Sequence, residues 1–292
     1  FDTEVIVQLH EAGKNIVEIP IPTYYGDEIC YVEGPRYALD VMTDVIRYRL
    51  HKMGFGSGEL AFSSDPYELK EGEVSSHRRL TDWLADRGPG RVLDLGCSDG
   101  SLAMVLRGSG HEVTAVDYEE QPGVTGRVDR FVQADLDGGI PDEVGGGYDV
   151  ILAADVLEHV REPEVILADA RDRLVPGGSI IVSVPNFAHW YPRLRVALGR
   201  FDYDRRGILD RGHVRFFTRR SFERLARNVG FRVRRREVTG LPIEVTDRGG
   251  RGDSTALGSL VPLIRRIDRF GLAVWPSLFA YQYLFQLEPV RD

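Results

Sequence analysis

Three aspartates and one Glu-His pair are the side chains whose types and spacing could do chemistry here: Asp94, Asp117, Asp135 and Glu158-His159. Asp94 lies in the stretch Arg91-Val-Leu-Asp-Leu-Gly-Cys-Ser-Asp-Gly-Ser101, where a short apolar run meets Gly96 and then Gly100. Glycine lets a ligand approach the backbone closely, and a helix starting just beyond offers free N–H groups. The spacing is Gly-x-x-x-Gly, so the dinucleotide fingerprint Gly-x-Gly-x-x-Gly is not met. A carboxylate at the entrance of such a turn repels a pyrophosphate and favours a cationic ligand. Asp117 follows Asp94 after twenty-three residues. Its two oxygens can accept both hydroxyls of a ribose, the alternative being an ordinary turn aspartate. Asp135 also ends an apolar run, where a helix N-cap or turn role is open to it. An imidazole titrates near neutral pH, so His159 could take the proton of an acceptor hydroxyl with Glu158 orienting it or binding substrate. The alternative for His159 is packing or orientation of a ligand.

These groups need a scaffold that brings strand ends together. Val92, Leu93 and Leu95 read as a strand, and Leu102–Arg107 as a helix. His111–Val116, Arg130–Ala134, Tyr148–Ala153 and Ile180–Val184 read as further strands, with a helix at Arg161–Leu174 and a turn at Pro176-Gly-Gly178. Gly177 and Gly178 fit a helix stop. Ser221–Val229 reads as a helix, followed by strands at Phe231–Val238 and Phe279–Leu287. Such alternation predicts a parallel sheet with helices on both faces. A helix from about Ser75 to Arg87 should lead into the first of these strands, ended by Gly88-Pro-Gly90. Leu257–Leu287 is apolar but broken by Arg265-Arg266, Asp268-Arg269, Pro262 and Pro276, so core and sheet edge are expected there, with peripheral membrane contact as the alternative.

The stretch Arg91–Ser101, with Asp117, Asp135-Leu136 and Ala153-Ala-Asp-Val-Leu-Glu-His159 in order, resembles the class I S-adenosyl-L-methionine-dependent methyltransferases, in particular the ubiquinone-type and sugar-O-methylating branches. The resemblance covers about residues 65–290 and implies a Rossmann-like α/β fold. Its sheet has seven mostly parallel strands and an antiparallel last strand. It implies S-adenosyl-L-methionine as cofactor and S-adenosyl-L-homocysteine as product, with no metal. It places Asp94, Gly96, Cys97, Ser98 and Gly100 under the amino-acid end of the donor, and Asp117 with Tyr118 at the ribose. Asp135 and Leu136 fall at the adenine, Ala153 beside the donor, and Tyr67 is the aromatic residue that closes over it. Glu158 and His159 become the catalytic pair. The Asn/Asp-Pro-Pro-aromatic sequence of base-amine methylation is missing after the fourth strand, which argues against that activity.

Asn186 and the residues after it form the variable acceptor region, a cap at about 187–218. His189, Trp190, Tyr203, His213 and Arg215 are its candidate substrate residues. Mixed aromatic, His and Arg side chains suit a sugar ring and a phosphate, because apolar ring faces stack on aromatics and Arg pairs with oxyanions. The phrase from Gly199 to Thr218 resembles bacterial methyltransferases of surface-polysaccharide settings. The expected acceptor is therefore a hydroxyl of a sugar, glycan or lipid-linked sugar, with a phenol- or quinol-like small molecule as the alternative.

Net charge is −8, yet His189–Arg236 holds fifteen Arg against four acids, roughly +11 by count. The overall acidity, without a recognisable RNA-binding module, argues against a nucleic-acid partner. Cys30 and Cys97 lie far apart without metal spacing, and no apolar run is long enough to span a bilayer. A reducing, cytoplasmic setting is expected, or one peripheral to the inner face of a membrane. Nothing in the sequence assigns an oligomeric state.

Residues 1–58 differ from the rest. Thr3–Leu9 reads as helix or strand, Ile16–Ile21 as a β-run, and Tyr37–Lys52 as an amphipathic helix. The residues Phe1-Asp-Thr-Glu, Val17-Glu-Ile-Pro-Ile-Pro-Thr and Tyr48-Arg-Leu-His51 resemble the C-terminal tail of family 2 glycosyltransferases, without their nucleotide-sugar half. Gly54-Phe-Gly-Ser-Gly58 is the expected hinge, giving an N-terminal α/β appendage (1–58) and a methyltransferase domain (59–292). Position 1 is Phe, so a fragment of a longer polypeptide or a trimmed chain is expected, and the tail resemblance implies a fusion of sugar transfer with methylation.

Overall fold

The computed structural model describes residues 2–12, 14–17, 19, 33–52, 76–85, 87–204, 206–241 and 261–290. The chain begins with helices α1 (Asp2–Glu11), α2 (Gly34–Lys52) and α3 (Ser76–Ala85). Strand and helix then alternate: β1 (Arg91–Leu95), α4 (Ser101–Gly108), β2 (Glu112–Asp117), β3 (Arg130–Gln133), β4 (Tyr148–Ala154), α5 (Pro163–Arg173) and β5 (Leu174–Pro185). The rest is α6 (Trp190–Ala197), α7 (Arg219–Asn228), β6 (Phe231–Thr239), α8 (Val261–Val274), α9 (Pro276–Phe279) and β7 (Gln282–Pro289).

The seven strands form one sheet in the order β3-β2-β1-β4-β5-β7-β6. β7 runs antiparallel to both β5 and β6, and the pairs from β3 through β5 are parallel. The first three strands step outward from β1 on one side, while β4 and β5 lie on the other. The strand order therefore reverses between β1 and β4, and the crevice beyond the carboxyl ends of these two strands is where such sheets bind ligands.

The parallel strands are apolar on both faces because helices cover both. Val92, Val113, Ala115, Val150 and Leu152 pack against Leu80, Trp83 and Leu84 of α3 and Leu102, Ala103 and Leu106 of α4. Leu93, Leu95, Val116, Ile151 and Val182 pack on the opposite side with Ile166, Leu167 and Ala170 of α5 and Phe222, Leu225 and Ala226 of α7. Asp94 shares a strand face with Val92, so the alternation that fills the core also pulls this carboxylate inside. The start of α7 is held by a capping box between Thr218 and Ser221.

Several expectations are revised. The turn at Pro176-Gly-Gly178 is part of β5, because Leu174 leaves α5 with extended backbone and pairs at once with Tyr148. The glycines thus do not stop the helix. The tail expected as core and sheet edge contains α8, and β7 lies inside the sheet. Its Tyr283, Leu284, Phe285 and Leu287 are all buried, which needs neighbours on both sides; β6 takes the edge. At the N-terminus, Thr3–Leu9 is helical. Of the expected β-run, residues 16, 17 and 19 are in no regular element, and the others lie outside the described residues, as do the hinge at 54–58 and Tyr67.

Candidate active site

The turn after β1 is built for close approach. Gly96 has φ 69°, and a Cβ there would meet Val156 Cγ2 at 2.6 Å. Its N–H donates to Val116 O at 2.8 Å, which ties the turn to β2. Ser98 also has positive φ, 51°, an uncommon conformation for a residue with a side chain. Its N–H donates to Asp117 Oδ2 at 2.7 Å, so the ribose-candidate carboxylate is aimed by the glycine turn itself. Gly100 (φ 75°) opens α4. Asp99 braces the far side: it accepts Ser101 N–H at 3.0 Å and Arg127 at 2.7 Å. These hydrogen bonds outweigh its burial and lower its pKa.

Asp94 is buried, and its pKa is raised to about 7, first by burial and then by the nearby charge of Asp117. Oδ2 of Asp94 has no hydrogen-bond partner among the described residues. A buried carboxylate with an unpartnered oxygen beside a glycine turn fits the neighbourhood of a cationic ligand. Cys97 is buried too; burial and the charges of Asp94 and Asp117 push its thiol upward, away from thiolate chemistry. Tyr118 is 72% exposed at the end of β2. Asp135 caps a short 3-10 turn by accepting Asp137 N–H at 2.9 Å, and Leu136 behind it is buried. Ala153 is buried at the end of β4, in register with Leu95.

Beyond β4 the second half of the site begins. Asp155, at φ 57°, holds a strained conformation. It accepts Ser183 Oγ at 2.6 Å and Gln282 Nε2 at 2.8 Å, so β5 and β7 clamp it. The sequence assigned it no role, since only the backbone angle reveals the strain. The buried Glu158 anchors the cap: its carbonyl accepts Val214 N–H at 2.8 Å and Arg215 N–H at 3.0 Å. His159 is exposed, with Nδ1 3.0 Å from Gly212 O; His213 is buried, with Nδ1 3.2 Å from Ile208 O. A carbonyl only accepts, so each neutral ring carries its proton on Nδ1 and presents a lone pair at Nε2. Burial, followed by the neighbouring His159, lowers the pKa of His213. The rings meet edge to face at 4.8 Å between centroids. Glu158, His159 and His213 each offer one ligand atom, all within 4.8 Å of one another, so among the described residues this is a group that could hold a divalent metal ion.

The other cap candidates divide. His189 is fully buried and caps α6 by accepting Tyr191 N–H at 3.3 Å; burial lowers its pKa to about 4. Trp190 and Tyr203 are 37% and 45% exposed. Arg215 donates to Arg161 O, bridging the cap to the loop after β4. Tyr191, Arg195 and the buried Asp204 close a hydrogen-bonded triad, with Tyr191 OH 2.8 Å from Asp204 Oδ2 and Arg195 2.6 Å from Oδ1. That triad was not anticipated, although Arg195 and Asp204 lie within the Arg-rich segment.

The family described as a methyltransferase domain matches residues 72–235. The ubiquinone biosynthesis O-methyltransferase of Aeromonas salmonicida is 28% identical over 120 residues, covering 36% of this chain and 49% of that protein. The enzyme of the same description from Acinetobacter baumannii (strain AYE) is 32% identical over 118 residues, with coverage of 36% and 49%. The chain thus spans about half the length of these relatives. Among solved structures, a 1,6-didemethyltoxoflavin-N1-methyltransferase from Burkholderia thailandensis is similar, with TM-score 0.48 and 16% identity over 92% of this chain and 99% of that one.

Proposed function

The chain belongs to the methyltransferase-domain family, and from that premise we propose that it moves a methyl group from S-adenosyl-L-methionine to a hydroxyl of a small acceptor, releasing S-adenosyl-L-homocysteine. The observation that carries this reading is the buried Asp94 carboxylate beside the Gly96 turn, with one oxygen that has no hydrogen-bond partner among the described residues. Asp94, Gly96, Cys97, Ser98 and Gly100 hold the methionine end. Asp117 and Tyr118 take the ribose, Asp135 and Leu136 the adenine, and Ala153 lines the methyl side. Bound there, the donor supplies a methyl group on a positively charged sulfur, already activated toward a nucleophile. The chain's own contribution is then alignment and the removal of one proton. His159 takes that proton at Nε2, because its Nδ1 is committed to Gly212 O. Glu158 fixes the backbone on which His159 and the cap meet.

The acceptor is a small hydroxylated molecule. A sugar or lipid-linked sugar is supported by the aromatic and Arg-rich cap; the names of the relatives, which methylate oxygen in ubiquinone biosynthesis, support a phenol- or quinol-like acceptor. A lipid-linked acceptor fits peripheral contact with the inner face of a membrane through α8, which exposes Ile267, Phe270 and Val274 beside Arg266 and Arg269. No helix among the described residues is long and apolar enough to cross a membrane. Residues 1–58 are proposed as the tail of a fused sugar-transferring half acting on the same glycan.

Calorimetry with S-adenosyl-L-methionine and with NAD tests the donor. Transfer of labelled methyl to phenols, sugar nucleotides and polyprenyl-phosphate sugars then tests the acceptor. Binding of NAD with no affinity for the sulfonium donor would sink the reading.

A further inference from the structure

A run of aromatic rings leads from the His159 cluster to the surface of the cap. His213 lies 6.4 Å from Phe216 between ring centroids. Phe216, Phe187 and Phe201 form a triangle, with separations of 4.8, 6.2 and 6.2 Å. Tyr203 continues outward, 5.9 Å from Phe201. The elements behind these rings are fixed: Phe187 N–H donates to Phe217 O at 2.8 Å, and Val214 and Arg215 are stitched to Glu158 O. The rings are nevertheless not closed off. Phe201 is 47% and Tyr203 45% exposed, and Phe187 and Phe216 are half-buried. Core aromatics in this protein, such as Phe222 and Phe285, are fully buried. A contiguous apolar surface left in water at the mouth of a site is one that a ligand covers.

We propose that Phe187, Phe201 and Phe216 are the specificity platform of the acceptor, and that the acceptor is a hydroxylated ring with an apolar face laid against them. The inference rests on the methyl-transfer reading and adds the residues that choose the acceptor. Ring faces and edges complement such a ligand at offset or edge-on geometry, as the mutual ring angles of 44°, 75° and 73° already do. The platform adjoins His213 and hence His159, so a ring seated on it brings a substituent hydroxyl to the His159 Nε2. Three polar side chains of the same cap are committed elsewhere: Tyr191 and Arg195 to Asp204, and Arg215 to Arg161 O. The platform itself offers ring contact rather than hydrogen bonds. The apolar face can come from a phenol or from a pyranose, and the experiment has an arm for each.

The probes are catechol and methyl α-D-mannopyranoside. Saturation-transfer NMR on the full chain with S-adenosyl-L-homocysteine present reads ring contact without turnover. Steady-state methyl transfer gives KM and kcat. Phe201→Ala removes an exposed ring with little risk to folding, and Phe216→Leu keeps an apolar side chain; thermal melts verify both. The expected result is a ring-proton signal for one probe in the wild type. In each variant that signal weakens and KM rises about two- to tenfold, with kcat nearly unchanged, the worth of one aromatic contact. A signal from catechol names a phenolic acceptor, and one from the mannoside a sugar. No signal from either probe, or variants that leave signal and KM unchanged, overturns the platform. Donor affinity, measured separately by calorimetry, reports on the methyl-transfer reading, so the two can fail independently.

Discussion

The two halves of the proposed site, one for the donor and one for the acceptor, are built by opposite means. The donor half is made of backbone: a glycine turn, a positive-φ serine and a strand-end carboxylate aimed by the turn's own N–H. Its parts lie close in sequence and are fixed by the register of β1 and β2. The acceptor half is made of side chains from four places: the loop after β4, the segments on either side of α6, and β7, whose Gln282 holds Asp155. A half made of backbone tolerates little change in shape. A half made of side chains can be respecified ring by ring without touching the donor.

The sharpest test of that division is His159→Ala. The donor half should keep its affinity, while turnover falls about 10²- to 10⁴-fold, the usual worth of general-base catalysis. Calorimetry beside single-turnover kinetics reads both, and an active variant would exclude the base role. Asp117→Ala should act in reverse. It removes a charged acceptor for two hydroxyls and releases the Ser98 N–H, costing about 3 kcal/mol or more, over 100-fold in donor affinity. Near-normal affinity by calorimetry would sink the ribose assignment.

Gly96→Ala probes the backbone half directly. The new Cβ would sit 2.6 Å from Val156 Cγ2 at a φ that disfavours side chains. A stability loss of about 1–3 kcal/mol, seen in denaturant melts, should accompany weakened donor binding. A matching substitution in the acceptor half, Phe201→Ala, should leave the melt almost unchanged.

The smallest effect is a pH dependence confined to the donor half. The pKa of Asp94 is raised from 3.8 to about 7 in the folded chain. Between these values the folded state binds more protons than the unfolded state, so its contribution to stability falls as pH rises from about 4 to about 7 and is flat above. Ionised Asp94 attracts a cationic donor, so affinity should rise severalfold through pH 7, with a proton released on binding below it. Asp94→Asn should flatten both trends. Calorimetry in buffers of different ionisation enthalpy counts the proton, and an unchanged pH profile in the variant would assign the trend to another group.

The same contrast explains how far the sequence could be read. Gly96, Gly100 and Asp117 were legible because a strand, a turn and a strand end are local patterns, and the structure brings them together as expected. Asp155 was in view as a residue and invisible as a site, since its φ of 57° and its grip on Ser183 and Gln282 come from strands far along the chain. His189 looked like a substrate residue, and its burial at the N-terminus of α6 depends on packing that no spacing reveals. The Phe216-Phe217 pair shows the limit most simply: Phe217 is buried in the core, and Phe216 joins the half-exposed platform.

The sequence by itself determined the alternating sheet, the glycine turn and its acidic neighbours, because these depend on periodicity and backbone freedom within a few residues. Only the tertiary structure decided that β7 enters between β5 and β6, that His213 meets His159, and that three phenylalanines share one surface. Those outcomes depend on which distant segments bury each other, and burial is a property of the assembled core rather than of any stretch of chain.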